Sequence, residues 1–476
     1  MVFGSRSVAL VLAMALGLTV TASADARHRS HHRLKRVSLT EAATLEATPP
    51  TPVKAKSWAR HHLPPQGSFE GGQVVHTVKS GESWQSIAEQ YLDLTSVYAA
   101  DDLAKAIVKE NMPESRKGAA VGLKLTIPHV LDAAPKHGPM GMPADGVVKG
   151  LYVRGATASG HGYTGFLDRV ASHGMNAIVL DVKDYDGLLT HPSKVPLAME
   201  SGAVHKPPIR SYARAVRFAH DRGLRVIARV SCFNDSLMAK AHPGMAIRGV
   251  SGHVYHNGWL DPKSERAQEY VVDLAKEAMD AGADEVQLDY VRFPVLGMKN
   301  IDFGLDTVAN PNAKVEVITA FVEHVHRITK ARGVSLSLDV FGVIAFGKEA
   351  DIHNLGQDPS ELAKHAEALS PMVYPSHFDP GFMNFEAPAD HPELVGLGVK
   401  HMNAEIAEHG VKGGAKIRPW ASAMRHTATN YGAGYIQQEI RTSDREGGAG
   451  WLLWNPGQVY EVAWGALPKV GPHPAK

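Results

Sequence analysis

The chain predicts an α/β protein whose main body is a (β/α)8 TIM barrel, preceded by a small N-terminal βααβ domain. Three observations carry this expectation. Strand-like and helical runs alternate eight times over about 320 residues, the length and count of a barrel of this class. Several strand-like runs place apolar residues on one parity and polar residues on the other, as strands between a helix layer and a barrel interior require. The segment after the first strand, Arg154-Gly-Ala-Thr-Ala-Ser-Gly-His-Gly162, lacks the Gly-rich phosphate turn that would mark a doubly wound open sheet.

Ahead of the barrel, residues 1–24 carry the marks of a secretory signal: a cationic start at Arg6, an apolar run from Val8 to Val20, and Ala22-Ser23-Ala24 at the cleavage point. The apolar run falls short of the roughly 20 residues needed to span a bilayer, and no later segment is long and apolar enough. The expected location is therefore secreted, periplasmic or cell-wall associated, with no integral membrane segment after signal cleavage. Residues 25–73 are basic, His-rich and Pro-rich and predict a disordered spacer. Lys plus Arg total 50 against 49 for Asp plus Glu, so no net field attracts nucleic acid. A single cysteine, Cys232, excludes an internal disulfide and a multi-Cys zinc site.

Residues 74–130 form the small domain. Val74-Val75-His76-Thr77-Val78 alternates as a strand, and Ser80-Gly81-Glu82-Ser83 makes a turn and helix cap. Trp84, Ile87, Ala88 and Tyr91 fall at helical spacing, a second helix covers Leu103 to Asn111, and Gly122 to Pro128 closes as a strand. A connector over 131–146 leads to the barrel at 147–467, and 468–476 form a tail. Barrel strands are expected near Val148–Arg154, Ala177–Lys183, Arg225–Ser231, Glu285–Val291, Ser335–Phe341, Pro371–Tyr374, Ile417–Ser422 and Gly450–Asn455. Helices such as Ser264–Ala281 and Ala313–Arg332 fall between them.

Strand parity sorts the charges. Ile178, Leu180 and Val182 share the helix-facing side of the second strand, leaving Asp181 and Lys183 inward. Gln287 and Asp289 on the fourth strand, and Asp339 on the fifth, point inward by the same argument. So do Tyr152 and Arg154 on the first strand, Arg229 on the third, and Arg418 and Trp420 on the seventh. Charges inside a barrel must pair or reach its mouth. The reading therefore has Asp181, Asp289 and Asp339 interleaving with Arg154, Lys183, Arg229 and Arg418 at one rim. Such a network can be plain filler, but its convergence on the C-terminal end of the strands, where barrel enzymes do their chemistry, favours a site. Tyr290, Phe293, Tyr374, Trp420, Trp451 and Trp454 lie at or near strand ends, and Tyr374 and Trp420 are the candidates to stack on a sugar.

Two resemblances extend this. His76-Thr-Val-Lys-Ser-Gly-Glu-Ser-Trp84, Ile87-Ala88, Asn111 and Val121-Gly122-Leu-Lys-Leu-Thr-Ile-Pro128 resemble a LysM module, which implies binding to peptidoglycan or another N-acetylglucosamine polymer. A small packing domain without a ligand is the alternative. Val286-Gln-Leu-Asp-Tyr-Val-Arg-Phe-Pro294 resembles the fourth-strand signature of a family of glycoside hydrolase barrels distantly akin to the α-amylase and α-galactosidase group. Val148-Lys-Gly-Leu-Tyr-Val-Arg154, Asn176-Ala-Ile-Val-Leu-Asp-Val-Lys-Asp184, Trp259-Leu-Asp-Pro262 and Ser370-Pro-Met-Val-Tyr-Pro375 support it. The resemblance implies a polysaccharide substrate, Asp289 as nucleophile, and Asp339 or Asp379 (in His377-Phe-Asp-Pro380) as proton donor. On the hydrolase reading, Tyr152, Arg154, Asp181, Lys183, Arg229, Arg292, Tyr374, Arg418 and Trp420 are the candidates to contact substrate. The chain departs from the amylase pattern at Gln287, where that group has Arg, and at Asp339, where it has Glu.

No cofactor or metal is expected. The 26 histidines raise a metal-dependent deacetylase as a competitor, yet the chain holds no His-Glu-x-x-His; nor does it hold a Gly-x-Ser-x-Gly elbow. A barrel that binds glycan without cleaving it is the second competitor.

Overall fold

The computed structural model describes residues 57–111, 120–136, 138–254, 258–295 and 301–470. The signal-like segment 1–24, the spacer as far as residue 56 and the tail from 471 lie outside the described residues. No helix among the described residues is long and apolar enough to cross a membrane.

The main body is a (β/α)8 barrel. Its strands are Val148–Val153, Ala177–Lys183, Arg225–Ser231, Glu285–Asp289, Ser335–Phe341, Ala368–Met372, a seventh in two pieces (Lys416–Ile417 and Trp420–Ser422), and Gly450–Trp454. Every adjacent pair is parallel and follows chain order. The two pieces of the seventh strand close the ring: Lys416–Ile417 pairs with the sixth strand and Trp420–Ser422 with the eighth. Pro419, which has no N–H to give a ladder, stands at the break. Carbonyls bridge it, with Leu452 N–H donating to Pro419 O at 2.9 Å and Ala449 N–H to Ile417 O at 2.8 Å.

The expected parity is seen. Ile178, Leu180, Val182, Val226, Ala228, Val230, Val286, Leu288, Leu336, Leu338 and Val340 pack in one large cluster with the helices. A separate inner cluster holds Val148, Tyr152, Ala177, Val179, Ile227, Tyr374, Trp420 and Leu452. At roughly 1.5–3 kcal/mol for each buried large apolar side chain, the outer layer is the principal stabilising term. Helix starts are capped: Ser211 accepts from Arg214 N–H, and Ser264 from Ala267 N–H. Helices Glu265–Asp280 and Ala313–Ala331 are followed by Gly282 and Gly333 at φ 94° and 67°, the left-handed turn that redirects the chain into the next strand.

The small unit has the β-α-α-β order, Gln73–Thr77, Trp84–Tyr91, Ala100–Asn111 and Lys124–Thr126. It also begins earlier than expected. Within the segment assigned to a spacer, Ser57–Arg60 is helical and Gly67–Glu70 pairs antiparallel with Gln73–Thr77. Ala59, Trp58, Leu63 and Phe69 supply the apolar surface that makes this folding favourable.

Its motif residues are consumed in building it. His76 is buried between Tyr91 Oη (3.1 Å) and Glu82 Oε2 (2.9 Å), and Glu82 also accepts from Lys79 N–H at 2.7 Å. Burial opposes ionisation of Glu82, but these donors prevail and bring its pKa down to about 2. Asn111 clamps the closing strand, accepting from Thr126 N–H at 2.7 Å and donating to Thr126 O at 2.8 Å.

The unit is docked on the barrel through the 93–98 loop. Tyr98 packs tilted against Tyr163 and edge-on to Phe218 at 4.9 and 5.0 Å between centroids, Arg217 donates to Thr95 O at 3.1 Å, and Arg214 donates to the carbonyls of Val97 and Tyr98.

Candidate active site

Polar residues replace apolar ones at the C-terminal ends of the inward faces. Arg229, on the third strand, is the hub. Its Nη1 lies 2.6 Å from Asp181 Oδ1, its Nη2 2.6 Å and Nε 3.1 Å from Asp289 Oδ2, and its Nε 3.9 Å from Asp339 Oδ2. The guanidinium also sits over the rings of Trp454 (5.4 Å) and Tyr152 (5.7 Å). Second, third, fourth and fifth strands thus bring one cation and three carboxyls together. The Tyr152 hydroxyl donates to Asp181 Oδ2, Tyr290 N–H donates to Asp289 Oδ1 at 2.6 Å, and Trp420 Nε1 donates to Asp339 Oδ1 at 2.7 Å. Tyr290 makes its bond from φ 51°, a left-handed backbone that a bulky residue adopts only under constraint.

One guanidinium cannot balance three buried carboxylates, so protons must be retained on some of them. Burial raises the Asp339 carboxyl well above its ordinary range. The neighbouring Asp289 carboxylate adds to that, against the smaller opposing pull of Arg229 and the Trp420 donor. Burial likewise pushes Asp181 up to about 7. Asp289 and Asp339 share Arg229 Nε, which puts their Oδ2 atoms within about 7 Å of each other; retaining pairs stand about 5–5.5 Å apart and inverting pairs about 6.5–9.5 Å. Asp289 keeps 6% of its side chain accessible, whereas Asp339 keeps 1%. Both face the barrel interior. A broad cleft under the connector, lined by Met142, Arg225 and Trp464, lies at the N-terminal end of the strands and away from this cluster.

Residues 150–460 match a family described as "Putative glycosyl hydrolase domain". The chain belongs to this family. No curated protein matches the sequence of this glycosyl hydrolase. Among solved structures it is similar to a hypothetical protein from Ruminiclostridium thermocellum (32% identity, covering 40% of this chain and 97% of that one, TM-score 0.36). It is also similar to the PgaB (BpsB) glycoside hydrolase domain from Bordetella bronchiseptica (13% identity, 67% and 99%, TM-score 0.49). A third is the spore cortex-lytic enzyme SleL from Bacillus cereus (11% identity, 83% and 88%, TM-score 0.40).

Within this glycosyl hydrolase barrel the expected residues divide. Tyr152, Asp181, Arg229, Asp289, Asp339 and Trp420 come together, and Tyr374 lies near enough for Asp339 and Asp289 to bear on its hydroxyl. Arg154 is exposed at the rim, its Nη1 donating to Pro456 O at 3.3 Å.

Lys183 departs from the expectation. The register with the third strand shifts between Asp181 and Lys183, and this irregularity turns the ammonium away from the cluster. It pairs with buried Asp235 at 2.6 Å, over the ring of Tyr270 on a surrounding helix. Arg418 departs too: it forks onto Glu285, at the start of the fourth strand, below the level of Asp289. Burial opposes ionisation of Glu285, but Arg418 and Arg225 hold its carboxyl below the usual range. Asp379 lies in the loop after the sixth strand, where only its backbone carbonyl is engaged, by Phe382 N–H at 3.1 Å; no described contact joins it to Arg229 or Asp289.

Arg292 is buried among the rings of Trp259, Tyr290 and Phe341. Glu285 and Asp184, whose Oδ1 is 4.0 Å from Arg229, were missed by the sequence reading. Glu285 shares the parity of Asp289 and was findable by that signal. Asp184 lies beyond the strand end, where parity says nothing. Among the described residues, no group of three or more His, Cys, Asp or Glu is arranged to hold a metal ion.

Proposed function

We propose that this glycosyl hydrolase is an exported enzyme that cleaves a polysaccharide or cell-wall glycan with two carboxyls, Asp289 as the nucleophile and Asp339 as the acid. Asp289 attacks the anomeric carbon as Asp339 gives its proton to the leaving oxygen, and Asp339 then takes a proton from the water that displaces Asp289 from that carbon. The observation that supports this division is the shared Arg229: it contacts Asp289 closely with two nitrogens but Asp339 only at 3.9 Å. The carboxyl further from the cation keeps its proton, as a donor must. Asp379 has no comparable support as donor. Arg154 and Tyr374 are proposed to orient the sugar, with Asp181 and Tyr152 holding Arg229 in place. The docked N-terminal unit is proposed to be a LysM-like module, over residues 74–130, that holds an N-acetylglucosamine polymer against the barrel.

The test is release of reducing ends from peptidoglycan and from a panel of soluble polysaccharides, with proton NMR of the first anomer formed. Asp289→Asn should abolish release while circular dichroism stays unchanged; undiminished release would remove Asp289 from the reaction. A second reading, a barrel that binds glycan without cleaving it, is favoured by one observation: both Asp289 oxygens already accept hydrogen bonds, from Arg229 and Tyr290. Retention of glycan by the pure wild-type protein with no reducing ends from any substrate would establish that reading.

A further inference from the structure

Arg292 is 4% exposed and no described carboxylate pairs with it. A guanidinium presents five N–H donors. Here one is used, from Nη1 to Phe293 O at 3.1 Å, and no described acceptor meets the other four. Around it stand Trp259 and Phe341, each 4.9 Å from Cζ, and Tyr290 at 5.4 Å. Aromatic faces stabilise the charge but accept none of the N–H bonds, so the remaining donors stay available to a ligand. Elsewhere in the barrel Arg229 is braced on Asp289 and Arg418 forks onto Glu285. Half-buried Tyr290, its ring 5.4 Å from Arg292 Cζ, directly follows Asp289 at the C-terminal end of the fourth strand, and half-buried Phe341 ends the adjacent fifth. The fork therefore stands at the end of the strand that carries the proposed nucleophile.

The geometry points to Arg292 as the recognition site for a carboxylate carried by the sugar chain, which makes the substrate an acidic glycan. This rests on the hydrolase reading for the location of the sugar, though binding itself does not require turnover. The planar fork fits a carboxylate with two parallel hydrogen bonds, and the three rings offer apolar walls to the sugar that bears it. Two sources share this chemistry: the C6 carboxylate of a hexuronic acid and the lactyl carboxylate of a muramic-type sugar.

The experiment is calorimetric titration of the full-length protein with glucuronate and with N-acetylmuramate, each against its uncharged counterpart, glucose and N-acetylglucosamine. Wild type should bind one acid at least tenfold more tightly than its counterpart, and the acid preferred identifies the source. Arg292→Met should erase that preference. Arg292→Lys, which keeps the charge but not the fork, should retain only part of it, and its thermal melt shows whether the fold survives. Equal affinity for acid and neutral sugar in wild type, no binding of either acid at millimolar concentration, or a preference that persists in Arg292→Met each overturns the inference. A protein that prefers acids yet releases no reducing ends sinks the hydrolase reading alone. One that cleaves neutral glycans and ignores acids sinks this inference alone.

Discussion

Replacing Asp181 with asparagine tests whether the carboxyl cluster is short of positive charge. In the folded protein burial holds this carboxyl up to about 7, from 3.8 when free. Between those values the native state keeps a proton that the unfolded chain has lost. Stability therefore falls as pH rises from about 4 through about 7, by roughly 4 kcal/mol in all and by roughly 3 kcal/mol between pH 5 and 8. Asparagine does not titrate, so this part of the slope should vanish. At pH 5 the variant resembles a protonated wild type, less about 1 kcal/mol for an imperfect match to the Tyr152 hydroxyl and Arg229 Nη1. At pH 8 it should be the more stable protein by about 2 kcal/mol. Urea unfolding followed by tryptophan fluorescence across this range measures the difference directly. Parallel curves for the two proteins would show that Asp181 is ionised when native. The same charge argument would then fail for Asp339.

Asp339→Asn should lower turnover of glycans with sugar leaving groups by at least about a hundredfold. It should largely spare kcat/KM for aryl glycosides whose leaving group needs no proton; equal losses of kcat/KM on both would remove Asp339 as donor. Trp420→Phe deletes the 2.7 Å donor that favours ionised Asp339, so the alkaline limb of the kcat/KM profile should move to higher pH; an unmoved or lowered limb contradicts the assignment. Asn111→Ala removes both ends of the clamp on Thr126 and should destabilise the small unit by about 2–3 kcal/mol, seen as faster proteolysis there before the barrel is cut.

Much of the barrel was legible because its outer layer is built from long apolar runs of one parity. Strands Ala177–Lys183, Arg225–Ser231 and Ser335–Phe341 have the expected limits. The sixth strand was placed late, at Pro371–Tyr374 rather than Ala368–Met372, because Ala368-Leu-Ser lacks the branched residues that announce a strand. Alternation found the inward faces of Asp181, Asp289, Asp339 and Trp420, but it carries no information on height. Arg418 was thus assigned to the rim while its partner Glu285 lies at the other end of a strand. Lys183 failed for a different reason: a one-residue register shift reverses parity locally, and nothing in Asp181-Val-Lys183 announces it. Asp379 shows the limit of proximity along a loop, since among the described contacts none joins its carboxyl to the cluster. The spacer was judged on its average composition, which hid Trp58, Leu63 and Phe69, enough apolar surface to fold the stretch from residue 57 onward.

The interrupted seventh strand has a consequence for wear. Its two pieces hold neighbours through two and three paired residues, against four to six at the other rungs of the ring. The seam is therefore the cheapest place for the ring to breathe, and Trp420 stands at its edge. Heating short of unfolding would free Asp339 from its indole before any strand is lost. Proton control and structural integrity would then fail at different temperatures, in that order.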